Sequence, residues 1–299
     1  MATNSTAIVR QGSLFEVDSP LYGKVRGERS VMDYPFFALS KVAVHTPLSF
    51  EIDDAKIEIR PSASGIATMY DKEIILYVAS LMAQEKRKGG VVGQDFTFKA
   101  HDFFRATGKP RPGKSEYQRF TDALERLQGT QIKTNIRTGS QQEKGWFSWL
   151  AEATAQFRTA KDGQERMEAV RVRLCAWLHR AIMRDGHIYE YDDNYFKLAP
   201  VEKRLYEISH SHCDGEQVEM PIEVFAAKVG SVGTIAQFKR SLKEIDKSGR
   251  IPQYRVTLAE VLPHEPRFDS RGRRINTPST IAVLTPRSLP AAKMIEAAN

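Results

Sequence analysis

An α+β fold that uses one module twice is what three observations in this sequence predict. First, Ile235, Phe238, Leu242 and Ile245 recur at i, i+3, i+7 and i+10, one face of an α-helix running from Thr234 to Lys247. Second, Tyr117, Phe120, Leu124 and Leu127 repeat that spacing in a helix from Ser115 to Gln128. Third, each helix has the same surroundings. A helix with a Leu-Tyr pair precedes it (Leu76-Tyr77, Leu205-Tyr206), then a short helix with a phenylalanine closed by glycine (Phe104 and Gly108, Phe225 and Gly230). Helix, short helix, turn, amphipathic helix and β-hairpin is the order of a winged helix-turn-helix. Two tandem winged helix-turn-helix domains therefore follow, with Tyr117 and Ile235 lying 118 positions apart and the Leu-Tyr pairs 129 apart.

The elements follow in chain order. Residues 1–20 are polar and aperiodic, and the expected flexible N-terminal arm is taken to residue 30. Tyr34-Pro35-Phe36-Phe37-Ala38-Leu39 is aromatic enough to dock on a core. Ser49–Ile52 and Lys56–Arg60 alternate apolar with polar residues, as half-buried strands do. A helix is expected from Asp71, as its cap, to Lys88, with Ile74, Ile75, Val78, Leu81 and Met82 buried and Gly89-Gly90 ending it. Phe96 and Phe98 mark a short strand, and Phe103-Phe104 a short helix. After the amphipathic helix, Gln131–Arg137 and Trp146–Leu150 read as the hairpin, with more strand at 153–158 and 167–174. In the second half a helix spans Pro200 to His212, and strands at Tyr254–Leu258 and Ile281–Leu284 flank a basic loop at 267–274. The expected domains are 31–175 and 176–287, with a C-terminal tail at 288–299.

Composition narrows the class. A chain of 299 residues, 41% hydrophobic and 27% charged, can bury two ordinary cores. Its net charge of +7 suggests a polyanionic partner. Cys175 and Cys213 alone give neither a disulfide framework nor a cysteine zinc site. With no signal-like N-terminus and no apolar run near the roughly 18 residues of a spanning helix, a cytoplasmic protein without a membrane partner is expected.

Charge then separates the two amphipathic helices. Opposite its apolar stripe, the second carries Gln237, Arg240, Lys243 and Lys247, with Glu244 as the acid among them. Thr234 and Gln237 also fit a capping box, and Gly249 sits where the helix should stop. Such a face suits a DNA major groove, and Arg271, Arg273 and Arg274 form a cationic loop that could reach backbone or minor groove as a wing. The first helix mixes signs, with Gln118, Arg119, Asp122, Glu125 and Arg126 on its outer face. Its approach, with Lys109, Arg111, Lys114 and Ser115, is positioned for phosphate. The second domain is therefore expected to read bases, and the first to hold backbone or mediate self-association.

Several segments also resemble a known family. Tyr70–Ser80, Tyr117–Thr130, and Asp193–Leu198 running into Glu202-Lys203-Arg204-Leu205-Tyr206 are similar to the plasmid replication initiator protein A family. Tyr34–Phe37, Leu39-Ser40-Lys41 and Phe147-Ser148-Trp149 fit the same pattern, so the resemblance covers roughly residues 30–260. It implies a bacterial, plasmid-associated initiator that binds repeated double-stranded origin sites and helps open an adjacent A·T-rich duplex. It implies recruitment of the host replicative helicase or its loader, with a homodimer as an open alternative state.

Enzymatic readings are weaker. Gly108-Lys109-Pro110-Arg111-Pro112-Gly113-Lys114-Ser115 matches the P-loop pattern, but Pro110 and Pro112 remove two phosphate-binding N–H groups and no strand precedes it. His210-Ser211-His212 suggests a nickase metal pair with Tyr206 as nucleophile, yet it ends a helix where histidines suit the dipole. Trp146 and Trp149 could stack on bases but are placed in a sheet, as core or edge aromatics. The expectation is a non-enzyme without metal or cofactor. A winged-helix transcriptional repressor is the nearest alternative, and a P-loop-like ATPase the alternative from another class.

Overall fold

The structure is a computed structural model that describes residues 17–89, 92–137, 145–160, 163–185, 188–262, 267–268, 274–275 and 278–288. Among these residues the chain forms eight α-helices and several small antiparallel sheets. It begins with β1 (Arg26–Glu28), α1 (Arg29–Asp33), β2 (Leu48–Ile52) and β3 (Ala55–Arg60). Next come α2 (Lys72–Arg87), β4 (Asp95–Phe98), α3 (Ala100–Ala106) and α4 (Lys114–Gly129). β5 (Gln131–Thr134), β6 (Gly145–Phe147), β7 (Leu150–Thr159) and β8 (Glu165–Leu174) complete the first half. The second half holds α5 (Ala176–Asp185), β9 (Ile188–Glu190), a 3-10 helix at Asp193–Lys197, α6 (Pro200–His212) and β10 (Val218–Pro221). It continues through α7 (Ile222–Val229), α8 (Ile235–Ser248), β11 (Tyr254–Val261), β12 (Arg267–Phe268), β13 (Arg274–Ile275) and β14 (Ser279–Pro286).

The two halves repeat one topology. Helix, strand, helix, helix, then two strands is the order in α2-β4-α3-α4-β7-β8 and in α6-β10-α7-α8-β11-β14. Both three-stranded sheets place the last strand between the other two, as β4-β8-β7 and β10-β14-β11. The packing repeats as well: Phe103 and Phe120 lie 5.2 Å apart between α3 and α4, and Phe225 and Phe238 lie 5.9 Å apart between α7 and α8. At the second turn Gly230 adopts φ +84°, and a Cβ there would come within 2.7 Å of Pro35. Any side chain at that position is strained by backbone and neighbour together.

Three expectations need correction. The hairpin expected after the first amphipathic helix does form, with Lys133 opposite Trp146, but it extends β2-β3 into a separate sheet, β2-β3-β5-β6. The hairpin equivalent to the second half's is β7-β8. Alternation alone shows that a segment is a strand, not which sheet it joins. Second, the arm does not extend to residue 30. Asp18 and Thr97 exchange backbone and side-chain bonds at 2.7 and 2.6 Å, Ser19 donates to Asp102 at 2.8 Å, and β1 pairs with β9. Third, Asp71 makes no side-chain cap on α2; its carboxylate accepts two Arg126 N–H groups at 2.8 Å and the Thr68 N–H at 2.8 Å.

What fixes the halves relative to each other is a buried polar junction. Two apolar clusters meet along α2, which gives Tyr77 to one and Leu76 to the other. Glu202, Lys203, Arg204 and Glu207 on α6 are all buried beside Lys72 and Glu73 of α2. Lys72 Nζ donates to Glu207 Oε2 at 2.7 Å, and Lys203 Nζ to Glu73 Oε1 at 2.8 Å. Tyr191 and Tyr195 donate to Glu207 Oε1 at 3.0 and 2.8 Å. Arg204 clamps the backbone carbonyls of Met32, Asp33 and Lys228. Burial pushes the Lys72 ammonium down to about 8 despite the pull of Glu207. Buried pairs of this kind add little net stability, but they cost heavily when one partner is removed. They also require one register of α2 against α6.

Candidate nucleic-acid interface

α8 is set by its termini and one apolar stripe. Thr234 Oγ1 accepts the Gln237 N–H at 3.3 Å, while Gln237 Oε1 accepts the Thr234 N–H at 3.0 Å, so the expected capping box forms. Gly249 ends the helix at φ +62°. Phe238 and Leu242 are buried, and Ile235 and Ile245 are half-buried. The opposite face presents Gln237, Arg240, Lys243, Glu244 and Lys247 to solvent. Among the described residues, Arg240, Lys243 and Lys247 make no hydrogen bond or ion pair. The neighbouring charges are engaged: Lys239 donates to Thr280, and Arg255 makes two bonds to Asp246 at 2.7 and 3.2 Å. A row of three such cations along one exposed helix face has the charge complementary to a polyanion. Thr234 and Gln237, expected on DNA, are already bonded to each other, which leaves the Gln237 amide N–H group for a ligand. Thr234→Ala should cost about 1 kcal/mol in thermal or urea unfolding, because it removes the cap and frees the first turn.

Arg271 and Arg273 lie outside the described residues, and of Arg274 only its backbone in β13 is described.

α4 offers a different surface. Arg111, Lys114, Ser115 and Arg119 are exposed. Arg126, expected on the outer face, is instead drawn under it by the paired bonds to Asp71, and Lys109 Nζ sits 3.4 Å from Glu73 Oε2. Asp122 accepts from Gln118 at 2.8 Å, and Glu125 takes the Ser64 hydroxyl. Glu116 occupies the N-terminus of the helix, accepting from Gly113 N–H at 2.9 Å and Ser115 Oγ at 3.0 Å. Those bonds hold its carboxyl below the usual range. An anionic side chain thus stands where a phosphate on Lys114 and Ser115 was expected. Beside it lies a cleft of about 640 Å³ lined by Lys41, Lys109, Glu116, Arg119, Asp122 and Phe196 among others, acids and bases intermixed.

The enzyme-like segments are placed plainly. Gly108–Ser115 connects α3 to α4, helix to helix, and no strand leads into it. His210 Nδ1 meets the Tyr254 hydroxyl at 2.8 Å and its Nε2 meets Glu190 O at 3.0 Å, so both ring nitrogens are engaged. Burial pushes the pKa of both His210 and His212 down. Among the described residues no group of three His, Cys, Asp or Glu side chains could hold a metal ion, and no helix is long and apolar enough to cross a membrane. Trp149 is buried and stacks on Phe37 at 4.7 Å, whereas Trp146 is exposed beneath Lys133.

Sequence reasoning missed the buried α2–α6 junction, although its residues carry much of the family resemblance. The signal was partial: Lys72 and Glu73 open the apolar run Ile74–Val78, and Glu202, Lys203, Arg204 and Glu207 surround the inward residues Val201, Leu205 and Ile208.

Comparison with known proteins fits this geometry. The chain is 27% identical over 245 residues to a protein of Wigglesworthia glossinidia brevipalpis described as a "Putative replication protein", covering 81% of this chain and 88% of that one. Its fold is similar to crystal structures of domains 2 and 3 of RctB. One superposes with a TM-score of 0.57 at 14% identity, covering 85% of this chain and 96% of the other; a second gives 0.50, covering 82% and 94%. The model of the family described as "Replication initiator protein A" matches residues 26–256. The chain belongs to the replication initiator protein A family.

Proposed function

We propose that this replication initiator acts as a non-enzymatic, sequence-specific DNA-binding protein at a plasmid origin, through two tandem winged helix-turn-helix domains. Their third helices are α4 and α8. The first domain extends past the expected boundary at residue 175, because Trp177, Leu178 and Ile182 of α5 pack in the apolar cluster of α2 and α4. The observation that carries the reading is the row of Arg240, Lys243 and Lys247, exposed and unpaired on α8. A helix of that composition fits a major groove, where arginine or lysine can bond guanine and a lysine can meet phosphate. α4, with its acids and its Glu116-capped end, suits backbone contact through Arg111, Lys114 and Arg119, or self-association. Membership of the replication initiator protein A family supports origin binding, and opening of an adjacent A·T-rich duplex with recruitment of the host helicase or its loader belongs to the same reading.

Footprinting of the full chain on the plasmid that encodes it tests the reading. Protection of several direct repeats beside an A·T-rich tract is expected. A single protected palindrome at a promoter would favour a transcriptional repressor instead. ATP turnover abolished by Lys114→Ala would overturn the non-enzymatic reading; none is expected, because Gly108–Ser115 joins helix to helix and Glu116 takes the Gly113 N–H and the Ser115 hydroxyl.

A further inference from the structure

The turn that leads into α8 exposes an apolar side chain ahead of the helix's cationic row. Val232 is 78% exposed, the most exposed large hydrophobic side chain among the described residues. Its backbone is not loose. On one side Ser231 N–H bonds Ala226 O at 3.0 Å behind the left-handed Gly230, and on the other the capping box closes over Thr234. Ala236, on the outward face of the first helical turn, is also exposed, and Gly233 between them carries no side chain. The N-terminal end of α8 thus shows Val232 and Ala236 beside the Thr234–Gln237 box, and Arg240, Lys243 and Lys247 follow along its length.

A duplex whose major groove takes α8 along those cations extends past the N-terminal end of the helix as well, where Val232 stands. Phosphates and sugars offer Val232 nothing in exchange for its contact with water. In a major groove the apolar group at the base edges is the thymine 5-methyl, and a small neighbouring residue allows the backbone to approach closely enough to touch it. We propose that Val232, with Ala236 beside it, reads a thymine 5-methyl group in the duplex site, so that specificity comes from an apolar contact as well as from Arg240. The inference rests on the proposed base-reading role of α8.

The test uses the full chain and a duplex carrying one repeat protected in the footprint, with each thymine replaced in turn by uracil, which lacks only the methyl group. Wild-type binding is expected to weaken about threefold to tenfold at one or two adjacent positions. Val232→Ala should bind the thymine site about as weakly as wild type binds the uracil site, and should lose the sensitivity at that position. Val232→Thr keeps one methyl and should fall between them. Arg240→Ala should bind more weakly but still distinguish thymine from uracil. Specific binding with no uracil-sensitive position, or with the same sensitivity in Val232→Ala, overturns this inference and leaves the proposed function standing. Absence of any sequence-specific binding overturns both.

Discussion

Glu207→Ala should destabilise the chain by about 3–5 kcal/mol, read as a fall in the urea midpoint at neutral pH. The size follows from what the carboxylate holds. One oxygen takes the Lys72 ammonium at 2.7 Å and faces Arg204 at 3.4 Å; the other takes the Tyr191 and Tyr195 hydroxyls. All of these groups are buried, so alanine leaves two cations close together without the carboxylate that bonds them both. Glu207→Gln keeps an acceptor for the tyrosines but removes the charge, and should lose less. Adding Lys72→Met to Glu207→Gln should recover part of that loss, since the double variant no longer buries the Lys72 charge without its partner. A loss below about 1 kcal/mol for Glu207→Ala would show that the junction admits water and does not fix α2 against α6.

The second large effect is on DNA binding. Arg240→Ala should reduce affinity for the specific repeat by about 1–3 kcal/mol while changing binding to random duplex much less. Lys247→Ala, farther along the helix, should weaken specific and random duplexes alike and lower the salt dependence of log K by about one. The distinction is physical: a base-edge contact discriminates, whereas a phosphate contact releases counterions whatever the sequence. Arg119→Ala should behave as Lys247→Ala does. Its helix carries Glu116, Asp122 and Glu125 around it, so each phosphate contact on that surface is weaker than one on α8.

Much of this was legible in the sequence because it rests on periodicity. The stripe Ile235, Phe238, Leu242 and Ile245 fixes which face of α8 turns outward, and that in turn places Arg240, Lys243 and Lys247 in solvent. The Thr234–Gln237 box and the glycines at 230 and 249 give the helix limits, each through a local rule. Long-range pairing was not legible. That Gln131–Thr134 joins β3 rather than β4 depends on which sheet edge is open, and no local pattern encodes it. Nor could the charge of Arg126 reveal that Asp71, 55 positions away, would draw it inward. The same holds for Lys72 with Glu207, 135 positions apart. Charges on an apolar helix mark a buried network, but only the fold supplies the partners.

The central claim is that α8 reads the bases and α4 supports it. Chemical interference in the major groove tests it most directly: each guanine N7 in a protected repeat is methylated, and binding of wild type, Arg240→Ala and Arg119→Ala is compared. Wild type should be blocked by methylation at one or more guanines in every repeat. Arg240→Ala should lose at least one of those signals, and Arg119→Ala should keep them all while binding more weakly. Loss of the signals in Arg119→Ala, with an unchanged pattern in Arg240→Ala, would contradict the account and assign base reading to α4.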